Sequence, residues 1–387
     1  MSAEKKTLES RLLRGAHKTL TGLSPAIESI LAAIVGLLIG AILMYIWGYD
    51  PWRAYIALFK GAYGGGYEWA SSLARATPLI LTAMTFSICL RSGMFNIGAE
   101  GQLMIGATAS ILVAYMALPT PLGQIVGLIL AGTAGALWSL VPAALKLMRG
   151  VSEVISTIMF NWIGRWFVLW LTIFILRDPA RAEKTVSIPV AARFPVMVRG
   201  TDLSYSIFVS IAFALVLYFI LWHTTVGYEV RAAGLNPTAA RYGGIRNKRT
   251  MFLSFILGGI AAGLAGATIT MGLPPTYAIF GGALMPQLTN VGFDGMAVAM
   301  VGRNHPIGII FAAVFFGGLN AGGRVMQFYG SNPVPLEIVR VVMGAIVLAM
   351  AIPELIRIIP AVKKQGTELF GLFKRLRKKN APKEEEA

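Results

Sequence analysis

The chain has 387 residues, of which 56% are hydrophobic and only 13% charged. Soluble domains carry about 25% charged residues, so the composition excludes a water-soluble protein and indicates a membrane protein. The net charge of +16 would suit nucleic acid, but the basic residues gather at the two ends of the chain, beside apolar runs. That placement marks the cytoplasmic face of a membrane and attracts anionic lipids; a nucleic-acid partner is not expected.

Lys5, Lys6, Arg11, Arg14 and Lys18 lie in a polar lead, residues 1–24, that reads as a cytoplasmic tail. The first apolar run starts near Pro25, and no small-residue cleavage site follows it, so an uncleaved span is expected over Ile27–Trp47. The segment 48–70, with Trp47, Trp52 and Trp69 suited to an interface belt, reads as an outside connection. Span two is Leu73–Leu90, span three Phe95–Ala117, span four Gln124–Leu147 and span five Glu153–Leu176. Residues 177–203 carry five basic and three acidic residues and are expected outside. Span six is Ser204–Trp222, and the basic loop 223–250 is placed inside. Span seven is Met251–Met271. Phe280–Gly302 is rich in Gly and Pro and reads as a broken span eight. Spans nine and ten are Ile307–Gly323 and Leu336–Leu355. The expected fold is an all-α, polytopic membrane protein of about ten helices. Its transmembrane domain covers 25–355, with both termini cytoplasmic and a basic cytoplasmic tail at 356–387. In that tail, residues 368–379 pattern as an amphipathic helix for a membrane surface.

Two segments interrupt the apolar pattern with polar residues among glycines: FNIGAEGQ at 95–102 and NVGFDG at 290–295. They fall in corresponding places in the two halves of the chain, a pseudo-repeat in hydropathy without a residue-level repeat. Paired interruptions of this kind point to a binding pathway. Phe95, Asn96, Glu100, Gln102, Asn290 and Asp294 are therefore candidates for the pathway, as is Asn161 on the Glu153–Thr157–Asn161 stripe of span five. A carboxylate at membrane depth costs free energy unless it is paired or faces water. The alternative role for each polar residue is a hydrogen bond between packed helices.

The loop RAAGLNPTAARYGGI, Arg231–Ile245, specifies a short helix. Asn236 suits the N-cap and Pro237 the first helical position. Gly243 and Gly244 suit the stop. So short a helix needs another surface to stabilise it, either its own protein or a partner's groove. The chain has no G-x-x-x-x-G-K-[ST] motif, so it cannot bind ATP by a P-loop of its own. It has a single Cys, three scattered His and no nucleophile–base pattern, and neither a metal site nor a catalytic residue is expected.

FNIGAEGQ at 95–102, GxNPxAAxYGGI at 234–245 and GFDGMAVAMVGRNHPIG at 292–308 together resemble the ABC-transporter permeases of the branched-chain amino acid, ribose and simple-sugar class. Within that class the resemblance is to the nucleoside-type branch, served by lipoproteins of the basic membrane protein family. It covers about 50–355 and departs from the pattern at Ser152, where Asn is expected. The resemblance implies a bacterial plasma-membrane importer subunit, with nucleosides as substrate and simple sugars or riboflavin as alternatives. It implies an ATP-binding cassette ATPase partner that holds ATP and Mg, with no cofactor in this chain. It implies a second permease chain and an extracytoplasmic substrate-binding lipoprotein. It also implies that Gly234, Asn236, Pro237, Ala239, Ala240, Tyr242, Gly244 and Ile245 form the helix that couples to the ATPase. An ion-coupled secondary carrier, with Glu100 and Asp294 as proton sites, is the competing class.

Overall fold

The structure is a computed structural model, and it describes residues 25–349 except 275–276, 283–284, 286, 329–333, 336, 343 and 347. The expected terminal tails, the amphipathic helix at 368–379 and the end of span ten lie outside the described residues. In chain order the helices are α1 (Pro25–Ile46), α2 (Pro51–Tyr63), α3 (Gly66–Arg91), α4 (Ala99–Ile111), α5 (Leu122–Arg149) and α6 (Glu153–Trp170, continued as π-helix to Ile175). Then come α7 (Ser206–His223), α8 (Thr225–Leu235), α9 (Pro237–Tyr242), α10 (Asn247–Gly272), α11 (Val291–Val301) and α12 (Pro306–Met326). Among the described residues, β structure is limited to isolated bridges. The protein is a multi-pass, all-α membrane protein.

The described residues divide into a unit of 25–40 with 341–349, and a larger unit of 41–340. In the first, Gly36 lets α1 approach the backbone of Ile346. The second holds the helices that build the site.

Small residues set the packing of the larger unit. Helix α10 lies at its centre against α3, α4 and α5. A Cβ on Gly263 would overlap the Ala131 carbonyl oxygen of α5, and one on Gly106 of α4 would overlap Gly263. Gly259 and Gly135 are in similar backbone contact. In a membrane, helices associate by such close van der Waals approach, because lipid tails are as apolar as leucine. Helices α6 and α7 instead leave large apolar side chains exposed, including Trp162, Trp166, Phe208 and Phe219.

Among the described residues, six helices are long and apolar enough to cross a membrane: α3, α5, α6 with its continuation, α7, α10 and α12. The expected count of ten is not itself established. Span three is helical only from Ala99, because Met94–Gly98 is non-helical. Span eight is broken as expected: 277–290 is irregular among its described residues, and only α11 is helical. The irregular part borrows partners from the 177–203 loop. Thr185 N–H donates to Ile279 O at 2.9 Å, Ile188 N–H to Tyr277 O at 2.8 Å, and Gly281 N–H to Glu183 O at 2.7 Å. Backbone without its own helix is thereby satisfied against protein.

The segment 48–70 is not a simple connection. Asp50 accepts from Trp52 N–H and Arg53 N–H and caps α2, with Pro51 at the first position. Ala54, Ala57, Leu58, Gly61 and Ala62 make a buried, small-residue face. That face packs on α12, where a Cβ on Gly322 would overlap the Leu58 carbonyl oxygen. Helix α3 consequently begins at Gly66, seven residues before the expected Leu73.

Candidate functional site

The two polar interruptions meet. Glu100, on the first turn of α4, accepts from Asn290 N–H at 2.6 Å and from Gly292 N–H at 3.0 Å. Its carboxylate thus caps α11 from a different helix, where unsatisfied N–H groups favour a negative charge. Gly292 makes the approach possible, since a Cβ there would collide with Glu100 backbone. Asn290 takes a left-handed conformation, φ 69°, at the junction.

Span five secures the other side of the α4 turn. Asn161 Oδ1 accepts from Gly101 N–H at 2.8 Å, and its Nδ2 donates to Ile97 O at 2.9 Å. Thr157 Oγ1 accepts from Ile97 N–H at 3.3 Å. Asn96 Oδ1 accepts from Gly98 N–H at 2.9 Å and from Gln102 Nε2 at 3.2 Å. Phe95 packs edge-on against Phe86. Asn96, Glu100, Gln102 and Asn161 therefore act within the protein as a polar clamp on the start of α4, and Gln102 Oε1 is buried without a partner among the described residues. Asn161→Leu would strand Gly101 N–H and Ile97 C=O, each at about 1–3 kcal/mol. A clearly lower thermal midpoint is expected for the purified protein, with Asn161→Asp intermediate; an unchanged midpoint would show the clamp to be idle.

Asn290 and Asp294 face a different space. They line a cavity of about 460 Å³ together with Arg75, Gln287, Asn320 and Arg324. Arg340 also reaches it. Each helix contributes a stripe one turn apart: Asn290 and Asp294 at α11, Asn320 and Arg324 on α12. Gln287 Nε2 is a buried donor with no partner among the described residues. The cavity is of ligand size, and its walls combine many donors with one carboxylate. Arg75, Gln287, Asn320 and Arg324 were missed by sequence reasoning. The available signal was an arginine within each of two otherwise apolar helices, which by default marks function.

The loop helix forms where the sequence places it. Asn236 Oδ1 accepts from Thr238 N–H at 3.1 Å and Ala239 N–H at 3.0 Å, and Gly244 has φ +83°. Asn247 Nδ2 donates to Pro237 O at 2.7 Å, and Ile245 N–H to Ala240 O at 3.0 Å, which fastens α9 to the start of α10. Ala240 is buried on its own chain. Pro237, Ala239 and Tyr242 are exposed, Tyr242 by 90%, as is Leu235 by 88%.

A chain of contacts carries this loop back to the helices that wall the cavity. A Cβ on Gly234 would overlap the carbonyl oxygen of Arg91, at the end of α3. Arg231 and Arg91 both sit over the Trp222 ring, at 5.7 and 5.3 Å. Trp222 in turn packs on His305, ring centroids 4.6 Å apart, in the turn before α12. Arg91 also donates to Asn304 O at 3.1 Å. Burial, and then the charge of Arg91, hold the His305 imidazole below its usual pKa.

The profile of the family described as the branched-chain amino acid transport system permease component matches residues 69–351. The chain belongs to this permease family. It is 35% identical over 355 residues to the guanosine ABC transporter permease protein NupP of Bacillus subtilis, covering 89% of this chain and 98% of that protein. It is 35% identical over 344 residues to the nucleoside ABC transporter permease protein NupB of Lactococcus lactis, covering 85% and 91%. It is also 32% identical over 267 residues to the guanosine ABC transporter permease protein NupQ of Bacillus subtilis, covering 64% and 78%. As a member of this permease family, the chain is a membrane permease component of an ABC transport system.

Proposed function

We propose that the chain is the membrane-spanning subunit of a bacterial ABC importer for nucleosides, driven by a separate ATPase subunit. The observation that carries this reading is the 35% identity, over nearly the whole length, to two permeases named for guanosine and nucleoside transport. The sequence has no P-loop motif, which supports ATP and Mg being bound by a separate subunit. Two permeases of Bacillus subtilis carry the same guanosine transporter name, and both resemble this chain, which supports a second permease subunit here as well. An extracytoplasmic binding lipoprotein completes the proposed assembly.

In this reading the exposed face of α9 docks on the ATPase. Helix α3 touches α8 through Arg91 and Gly234, and the turn before α12 is reached through Trp222 of α7 and Arg91; both helices wall the cavity farther along. Arg75 and Arg91 are sixteen residues apart on α3, about 24 Å along a helix. Helix α3, which carries Pro78 between these two arginines, and helix α12 thus connect the ATPase side to the solute route.

The test is uptake of labelled guanosine, uridine, ribose and riboflavin into cells that lack other nucleoside carriers. Nucleoside uptake that depends on this chain, the second permease and the ATPase is expected. Uptake by this chain alone would establish the secondary carrier, and uptake of ribose or riboflavin without nucleosides would replace the substrate. The proposed orientation puts both termini in the cytoplasm and 177–203 outside. Ala182→Cys, at an exposed site in that loop, is expected to react with an impermeant thiol reagent in intact cells. Labelling only after permeabilisation would invert the topology.

A further inference from the structure

A second cavity, of about 250 Å³, adjoins the first. It is lined by Tyr67, Glu68 and Ser71 near the start of α3, by Asp202 of the 177–203 loop, and by Arg75 and Arg324. Among the described residues, Arg75 and Arg324 alone line both cavities. They therefore stand at the junction between a chamber beside the loop and the polar chamber that holds Gln287, Asn290, Asp294 and Asn320.

The two residues common to both chambers are both cations. Arg75 Nη2 pairs with Asp202 Oδ2 at 3.0 Å. Arg324 lies close enough to Arg75 to act on it electrostatically, and among the described residues it makes no ion pair. Both guanidinium groups stay protonated. The carboxylates stand to either side: Glu68 and Asp202 line the chamber beside the loop and Asp294, with Arg340, lines the inner one, so the positive charge is concentrated at the two residues the chambers share. A positive charge held at a constriction between two chambers repels cations that pass it. The same groups present donors, which suit the oxygen and nitrogen acceptors of a neutral polar solute.

We propose that Arg75 and Arg324 form a cation-excluding neck on the solute route, one that passes neutral, acceptor-rich solutes while rejecting inorganic cations and protonated amines. This inference rests on reading the two cavities as the route of an importer. It adds a specificity device: a transporter that opens a polar path must not short-circuit the ion gradients across its membrane.

The test uses thiol reagents, so its readout does not depend on which solute is carried. The native thiol, Cys89, is buried and is the one cysteine of the chain. Ser71→Cys places a thiol in the chamber beside the loop, and Asn320→Cys one in the inner chamber. The assembled transporter is exposed, from the side of the 177–203 loop, to an anionic and a cationic methanethiosulfonate of similar size. The anionic-to-cationic rate ratio at Ser71→Cys is the reference. At Asn320→Cys the ratio is expected to exceed that reference by roughly tenfold or more. Adding Arg324→Gln should return the ratio towards the reference, whereas adding Arg324→Lys should keep it high. Because Arg324 is exposed and makes no ion pair among the described residues, its replacement strands no buried charge. Equal ratios at the two cysteines, or a ratio at Asn320→Cys that Arg324→Gln leaves unchanged, would overturn the neck. So would an Asn320→Cys thiol that neither reagent reaches from that side. Loss of nucleoside uptake with the ratios as expected would instead count against the proposed substrate alone.

Discussion

Gly263→Val is expected to leave almost no folded permease in the membrane. At this position α10 lies against α5 on one side and α4 on the other. A Cβ would enter the space of the Ala131 carbonyl oxygen, and Gly132 Cα is only 3.1 Å away. The obstacles are backbone atoms, so no side chain can rotate aside. Overpacking in a core costs typically about 1–3 kcal/mol, and valine adds two methyl groups beyond the Cβ. The helices would have to part, which would also disturb the neighbouring contacts at Gly135, Gly259 and Gly106. Native domains are stable by only about 5–15 kcal/mol, so the loss is a large share of the total. Gly263→Ala should be milder but clearly destabilising. Gly66→Ala is the control, because a Cβ there meets nothing within 4 Å. The measurement is the yield of monodisperse protein in mild detergent together with its thermal midpoint. Wild-type yield for Gly263→Val would show that α10 can shift away from α5, and that its packing is looser than described.

Much of this architecture was legible because it rests on local chemistry. Asn236, Pro237 and Gly244 each have a backbone reason to stand where they do, and α9 formed between them. Gly and Pro in 280–302 foretold the break in span eight, since those residues do not sustain a helix interior. Helix α2 was legible in principle from Asp50, Pro51 and the spacing of Ala54, Leu58 and Gly61. Thirteen residues of modest hydropathy nevertheless read as a loop beside longer apolar spans. The functions of individual polar residues were less legible. Glu100 and Asn161 have the composition of pathway residues, yet each makes its hydrogen bonds to backbone N–H or C=O of another segment. Arg75 and Arg324 are 249 positions apart and meet at one junction. Periodicity shows which face of a helix is polar; it does not show which helix that face will meet.

Ala239→Glu and Tyr242→Ala are expected to uncouple transport while leaving the permease folded. The two side chains share the exposed part of α9, and neither makes a bond that the isolated chain needs for stability. In the proposed assembly this face is buried by the ATPase. Glutamate at 239 would then bring an unpaired charge into a packed groove, which costs about 3–5 kcal/mol. Tyrosine is a frequent anchor of interfaces, and truncating such an anchor costs about 2 kcal/mol or more. Either loss corresponds to at least about a thirtyfold weaker complex, since about 1.4 kcal/mol is a factor of ten. Ala240→Glu is a poorer probe, because Ala240 is buried against its own chain and the change would also damage the permease. Asn236→Ala tests the same helix from within. Losing the cap costs about 1 kcal/mol, and a helix of six residues has little else of its own to hold it. Its uptake should fall less than that of Ala239→Glu. The deciding measurement pairs retention of the ATPase subunit in a pull-down with solute uptake and with the thermal midpoint of the permease. A normal midpoint with lost ATPase and lost uptake places the contact on α9. Wild-type retention and uptake for both Ala239→Glu and Tyr242→Ala would mean that this face is not the docking surface, and the energy would have to enter the membrane helices elsewhere.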